Sequence, residues 1–290
     1  MAEQADGAGD GGDVVGPGRV AVVTGGSSGI GRALVELLVA EGSAVVVADI
    51  DATEAEVVAA SVRAEGGQAL AVAVDVADAA SVDALAAAVL DRFGHVDVVV
   101  NNAGVSTFNL LADQTLDDWR WVLDVDLWGV VHGVHTFLPI LRDQGTPAHI
   151  VNTSSMGGLM GGLAFIGPYA AAKAAVVSIS ETLRQEVAFT APHIGVSVLC
   201  PSTTDTRIME SERVRPTERG VEQRRPDAEG MRLAIKSMFA DPASLTAAQV
   251  AARTVEAIRA GEFWVIPAAG ERAVVDARTA EILGAFPDSA

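Results

Sequence analysis

The only tyrosine of the chain, Tyr169, stands four residues ahead of Lys173 in the run Tyr169-Ala170-Ala171-Ala172-Lys173. Positions four apart on a helix share a face, so the phenol and the ammonium can point into one cleft. A lysine charge there favours the phenolate and draws a tyrosine pKa down from about 10 toward working pH. A phenol tuned in this way serves as general acid/base for carbonyl reduction or alcohol oxidation. Upstream, an apolar run ends in Asn152-Thr153-Ser154-Ser155, which puts two hydroxyls at a strand end where either can bond a substrate oxygen. Tyr and Lys at this spacing are also common on surfaces, so the pair gains meaning only from its company.

That company begins near the N-terminus. A Val-rich run leads into Thr-Gly-Gly-Ser-Ser-Gly-Ile-Gly and then into an Ala/Leu-rich stretch. Gly25, Gly29 and Gly31 let backbone N–H groups and a helix N-terminus approach a pyrophosphate without Cβ obstruction. One βαβ unit later the next apolar run ends in Asp49, a carboxylate able to accept hydrogen bonds from adenosine ribose hydroxyls. The same charge repels a 2′-phosphate. No Lys or Arg lies within residues 25–31, where Ser27 and Ser28 stand instead, so NAD is expected over NADP.

The elements that must hold these residues are legible as alternation. Short Val-rich runs at residues 19–24, 43–49, 68–75, 96–101, 148–155 and 195–201 suit strands buried on both faces. Helical stretches such as residues 31–42 and 81–94 lie between them, with Gly42 and Gly94 placed as left-handed caps. Residues 263–267 read as a seventh strand. Strands alternating with helices predict an α/β fold, a doubly wound parallel sheet of about seven strands with helices on both faces, Rossmann-like, in a single domain over residues 19–290. Residues 1–18 read as a disordered acidic tail. Residues 207–241, charged and carrying prolines, read as an excursion over the surface that forms a substrate lid.

Composition narrows the classes. With 50% hydrophobic and 4% aromatic residues, the core must be built from Ala, Val, Leu and Ile. A formal net charge of −18 makes nucleic acid and anionic membrane poor partners. The single cysteine, Cys200, excludes an internal disulfide and reads as a small buried residue; the five histidines show no ligand spacing, and no metal is expected. No apolar run is long enough to cross a bilayer, and the N-terminal residues are not a secretory signal, so a cytoplasmic location is expected.

In this order, the glycine turn, Asn-Asn-Ala-Gly at residues 101–104, the serine, Tyr-Ala-Ala-Ala-Lys and the stretch after the sixth strand resemble the short-chain dehydrogenases/reductases over residues 19–206. The resemblance implies NAD(P) binding and a Ser–Tyr–Lys mechanism. It matches Gly25, Ser27, Ser28, Gly29, Ile30 and Gly31 to the pyrophosphate turn and Asp49 with Ile50 to the adenosine ribose. Asp75 and Val76 fall beside the adenine. Asn102, Ala103 and Gly104 fall beside the cofactor, as do Pro201, Thr204 and Thr206, the last matching the threonine that holds the carboxamide. Tyr169 matches the acid/base, Lys173 the lysine that binds nicotinamide ribose, and Ser155, directly before Met156, the serine. Two departures stand out. Ser202 follows Pro201 where the family has glycine, and Asp126 stands where the family's fourth catalytic residue, an Asn, organises a water relay to the lysine.

Family members commonly pair through helices that here span residues 116–142 and 169–189, so a homo-dimer or homo-tetramer is implied. Met156, Leu159, Met160, Phe165, Ile208 and Met209 are expected to form an apolar substrate wall. This favours a hydrophobic secondary alcohol or ketone, and residues 149–175 are similar to those of aryl Cα-dehydrogenases. Steroid-like and terpenoid alcohols stay open, as do an NADPH-dependent ketoreductase and a non-catalytic dinucleotide-binding regulator.

Overall fold

The computed structural model describes residues 13–239 and 244–287. Seven strands form one sheet: β1 (Val20–Thr24), β2 (Ala44–Asp49), β3 (Ala69–Ala73), β4 (Val98–Asn101), β5 (Ala148–Thr153), β6 (Ile194–Leu199) and β7 (Trp264–Val265). Their order is β3-β2-β1-β4-β5-β6-β7 and every pairing is parallel. The chain leaves β1 in one direction toward β2 and β3, then returns to lay β4 on its other side. This reversal opens a crevice at the C-terminal ends of β1 and β4, where doubly wound sheets bind their ligands.

The helices that cover the sheet follow in chain order: α1 (Gly29–Ala40), α2 (Ala52–Ala64), α3 (Ala79–Phe93), α4 (Leu116–Leu123), α5 (Gly129–Gln144), α6 (Met156–Leu159), α7 (Gly167–Thr190), α8 (Pro226–Phe239), α9 (Ala247–Ala260) and α10 (Arg272–Gly284). Alternate strand residues feed two cores. Val20, Val22 and Val46 pack with Leu85 of α3, Phe137 of α5 and Leu183 of α7. Ala21, Val23 and Val45 pack with Leu34 of α1, Val58 of α2 and Val255 of α9. Burial on both faces explains why the strands read as unbroken apolar runs. Gly94 caps α3 in the left-handed region at φ 79°, as its position past the helix predicts.

The helix pair α4–α5 is one rod interrupted by a π turn over Asp124–Trp128. A π turn inserts an extra residue and re-aims the side chains it carries, and such turns gather at functional sites. Here it holds Asp126 at 0% exposure.

Three sequence-based boundaries change. Residues 13–18 are not tail: Val14 and Val15 are buried against the second core, and the Gly16 N–H donates to the Ser43 hydroxyl at 2.9 Å. Two valines among glycines carry no periodicity, so only packing reveals them; residues 1–12 lie outside the described residues. The seventh strand is only Trp264–Val265 long. Residues 207–239 are largely helical, with turns of 3₁₀ helix at Arg207–Val214 and Thr217–Arg219 before α8, and residues 240–241 lie outside the described residues.

Cys200 is buried, and burial pushes its thiol up to about 12. His149 is buried beside the Ser197 hydroxyl at 2.7 Å, and burial pushes its imidazole down to about 4, keeping it neutral.

Candidate active site

A cleft of about 440 Å³ runs across the C-terminal ends of the strands. At one end, Gly25 and Gly29 adopt φ of +64° and +54°, conformations that glycine adopts without strain. Gly31 serves closeness instead: a Cβ there would fall 2.1 Å from the Gly25 carbonyl oxygen, so a side chain would lift α1 off the turn. Thr24, which sequence reasoning missed, ties this turn to β4. Its hydroxyl accepts the Asn102 and Ala103 N–H groups at 2.9 and 3.1 Å, and its carbonyl accepts the Asn102 amide at 2.9 Å. Its only signal in the sequence is its place at the strand end.

Asp49 lies across from the turn. One carboxylate oxygen accepts the Ser27 N–H at 3.1 Å and the Ser27 hydroxyl at 2.6 Å; the other accepts the Asp51 N–H at 3.1 Å. Ser27 thus orients the carboxylate, while Ser28, Ile30 and Ile50 line the cleft beside it. Asp75, Val76, Gly104 and Asn102 continue the wall, and Pro201, Thr204 and Thr206 close it from the β6 side. A Cβ on Gly29 would sit 3.1 Å from Thr206, so this loop comes down directly on the turn. The glycine-bared turn, the Asp49 carboxylate across from it and a continuous wall fit an extended dinucleotide.

Sequence reasoning found no base near the turn, and within residues 25–31 there is none. The fold nevertheless brings Arg207 and Arg213 to the wall of the same cleft, and Arg213 lies within Coulomb range of Asp49. Distance along the chain hid them.

At the other end the strand β5 delivers two serines to different tasks. The buried Ser154 hydroxyl donates to the Lys173 carbonyl at 2.7 Å and so braces α7. Ser155 caps α6, accepting the Gly157 N–H at 3.0 Å, and its hydroxyl also meets the Tyr169 phenol. The α7 spacing brings the Lys173 ammonium 5.4 Å from the Tyr169 ring centre. That ammonium donates to the Thr153 carbonyl at 3.1 Å and lies 3.2 Å from Asp126 Oδ2, both partners almost wholly buried. The other Asp126 oxygen accepts the Val105 N–H at 2.8 Å. Asp126 therefore stands behind Lys173 and does not reach the cleft itself.

The electrostatics follow from burial. Desolvation pushes the Asp126 carboxyl up, against the pull of Lys173 and the Val105 N–H. Desolvation also works against the Lys173 charge, but Asp126 and Tyr169 outweigh it and hold the ammonium above the ordinary lysine range. For Tyr169, burial raises the phenol pKa, Lys173 lowers it, Asp126 raises it again and the Ser155 hydrogen bond lowers it. The net direction is upward. A lysine four residues away predicts the opposite, because the spacing reveals neither the burial nor the carboxylate that partly cancels the ammonium.

Of the six expected apolar wall residues, Met156, Met160, Ile208 and Met209 line the cleft. Leu159 does not; it packs against the core beneath α6. Nor does Phe165, whose backbone sits at φ 71° with its carbonyl held by the Asn109 N–H at 2.9 Å. Trp121, Phe108, Leu163 and Ile166 line the cleft in addition. The 207–239 segment forms a wall rather than a loose excursion. Glu222 Oε1 accepts the Phe108 N–H at 2.5 Å, Arg215 pairs with Asp118 at 2.7 Å, and Arg219 pairs with Asp124 at 2.6 Å. Among the described residues no group of three His, Cys, Asp or Glu side chains is placed to hold a metal ion, and no helix is long and apolar enough to cross a membrane.

The family model for short chain dehydrogenases matches residues 19–216. The chain belongs to that family. This short-chain dehydrogenase is 37% identical over 203 residues to a C alpha-dehydrogenase of Sphingobium sp., covering 70% of this chain and 66% of that protein. It is 39% identical over 194 residues to a 1-deoxy-11-beta-hydroxypentalenate dehydrogenase of Streptomyces exfoliatus, covering 66% and 70%. The chain thus spans about two thirds of the length of these relatives. A short-chain dehydrogenase/reductase of Burkholderia phymatum, solved in complex with NAD, superposes with a TM-score of 0.90 at 35% identity, covering 96% of this chain and 98% of that one.

Proposed function

We propose that this short-chain dehydrogenase is an NAD-dependent enzyme that interconverts a hydrophobic secondary alcohol, aromatic ones included, and its ketone. The observation that carries the reading is the meeting of Ser155, Tyr169 and Lys173 at one end of the cleft whose other end holds the glycine turn and Asp49. When bound, the nicotinamide ring supplies or accepts the hydride. Tyr169 gives its proton to the carbonyl oxygen in reduction and takes it back in oxidation; Ser155 holds that oxygen in place. Lys173 binds nicotinamide ribose and keeps a positive charge beside the phenol, while Asp126 fixes Lys173. The methionines and aromatics of the wall favour an apolar substrate, and the Sphingobium and Streptomyces relatives are both named as dehydrogenases, which supports oxidation of an alcohol. The test is NADH fluorescence appearing with a panel of hydrophobic secondary alcohols at alkaline pH; absence of turnover with either cofactor across the panel favours a non-catalytic dinucleotide-binding regulator.

NAD(H) is expected over NADP(H), because Asp49 faces the ribose hydroxyls and repels a 2′-phosphate. The Burkholderia relative's complex supports this choice. Asp49→Ser should narrow the preference, measured as the ratio of kcat/KM for the two cofactors; equal values in the unmodified enzyme overturn the assignment. Arg213, within reach of the same carboxylate, and Arg207, on the wall of the same cleft, favour the competing reading, an NADPH-dependent ketoreductase. The same ratio decides it.

The Asp126 carboxylate gives the pH profile a direction. Ionised, it raises the Tyr169 pKa, so oxidation, which needs the phenolate, runs only at more alkaline pH. Asp126→Asn keeps an oxygen for the Val105 N–H but removes the charge. The acidic limb of kcat for oxidation should then move to lower pH, reporting the whole coupled cluster. Superimposable profiles for the two proteins eliminate an ionised Asp126.

The protein is also expected to form a dimer or tetramer through α4–α5 and α7. Trp128, 50% exposed, and Phe189, 86% exposed, stand on these helices without cover. Light scattering at micromolar concentration checks this, and a monomer counts against it.

A further inference from the structure

The loop after β6 departs from its family at Ser202, and the structure gives that serine a partner from the far end of the chain. Its hydroxyl donates to Glu271, the residue that opens α10. Both residues line the cleft, together with Met156, Met160 and Leu163. Their place is the reacting end rather than the adenosine end. The Pro201 carbonyl, one residue before Ser202, accepts the Met156 N–H at 2.9 Å, and Met156 directly follows Ser155. From the other side α10 leans over the loop after α6, where a Cβ on Gly161 would sit 3.0 Å from Arg278 and the Arg278 guanidinium donates to the Leu159 carbonyl at 3.4 Å.

One Glu271 oxygen is engaged by Ser202. The other, Oε2, is buried and meets no donor among the described residues. A carboxylate oxygen accepts only, so this atom demands a donor that the protein does not give it. A buried acceptor without a partner is costly, and a ligand that brings the missing donor removes that cost on binding. Within the cleft Glu271 stands with Met156, Met160 and Leu163, a carboxylate set beside an apolar stretch of the wall.

We infer that Glu271 is a specificity residue, and that the substrate is a hydrophobic alcohol or ketone bearing a second, hydrogen-bond-donating group, a hydroxyl or a phenol, placed to reach Glu271 Oε2. The inference rests on the oxidoreductase reading of the cleft and deepens it. Hydrophobic pockets discriminate weakly against an added hydroxyl, whereas a site built to bond one discriminates strongly against the analogue lacking it. Glu271 converts the first kind of pocket into the second. It takes no part in proton or hydride transfer, so its contribution falls on KM more than on kcat.

The experiment compares aryl ketones in pairs, each parent against its ring- and side-chain-hydroxylated positional isomers, by kcat/KM with saturating NADH. At least one hydroxylated isomer is expected to exceed its parent by roughly 10- to 100-fold. Glu271→Leu should abolish that ratio and Glu271→Gln should shrink it, with the change carried by KM. Thermal unfolding separates this from a structural role: Glu271→Leu loses the Ser202 hydrogen bond but also the unpaired buried oxygen, so its midpoint should change little, while a purely structural carboxylate would lower it clearly and leave the hydroxylation ratio unchanged. The inference is overturned if the unmodified enzyme prefers every parent ketone, or if both variants keep the original ratio. Absence of turnover with all ketones, parents included, instead counts against the oxidoreductase reading on which it stands.

Discussion

Tyr169→Phe is expected to lower kcat by roughly 10²- to 10⁴-fold, the range that a positioned general acid/base contributes. The substitution deletes one hydroxyl and keeps the ring, so the walls of the cleft and the 5.4 Å approach of the Lys173 ammonium to the ring are preserved. NADH affinity, read by fluorescence titration, should be largely retained, because the dinucleotide's proposed contacts lie at the glycine turn, Asp49 and Lys173. Loss confined to kcat is the signature of an interaction made in the transition state. Turnover retained in Tyr169→Phe would identify a different acid.

Lys173→Met carries the second large effect, and its first readout is stability rather than rate. The ammonium is the charge partner of Asp126, which has 0% exposure. Removing one member of a buried ion pair strands the other, at a cost of about 3–5 kcal/mol. Urea unfolding at neutral pH should show a deficit of that order. The stranded carboxyl, already pushed up by burial, loses the pull of Lys173 and titrates higher still. A folded-state pKa above the unfolded value makes the folded protein bind the extra proton, so stability falls as pH rises through and beyond the unfolded carboxyl's range near 3.8. The deficit should therefore shrink in acid. Asp126→Asn combined with Lys173→Met removes the stranded charge and should recover much of the loss, leaving a protein that folds but scarcely turns over. Additive losses in the double variant would show that the two groups do not act as a pair.

These two residues show how unevenly the site was written into the sequence. Tyr169 and Lys173 announce themselves through a spacing of four, since helical geometry alone places them on one face. The glycines of the turn and Asp49 are equally local, fixed by their positions at strand ends. The sheet follows from the same kind of signal: continuous Val-rich runs alternating with helical stretches admit few arrangements other than a parallel sheet covered on both faces.

What only the tertiary structure decided is whatever depends on residues distant in the chain or on the dielectric around them. Spacing predicts that Lys173 lowers the Tyr169 pKa; burial and Asp126, delivered by a π turn 43 residues upstream, reverse the sign. Spacing offers Ser154 and Ser155 alike, and the strand end turns one toward the Lys173 carbonyl and the other toward the phenol. Leu159 and Phe165 carry the right chemistry for a substrate wall but face elsewhere, one into the core and one on a strained backbone turn. Arg213 reaches the Asp49 end of the cleft from 164 residues away, and Glu271 reaches Ser202 from 69. Sequence periodicity records which face of an element is apolar. It carries no record of which element that face will meet, and charges act through that meeting.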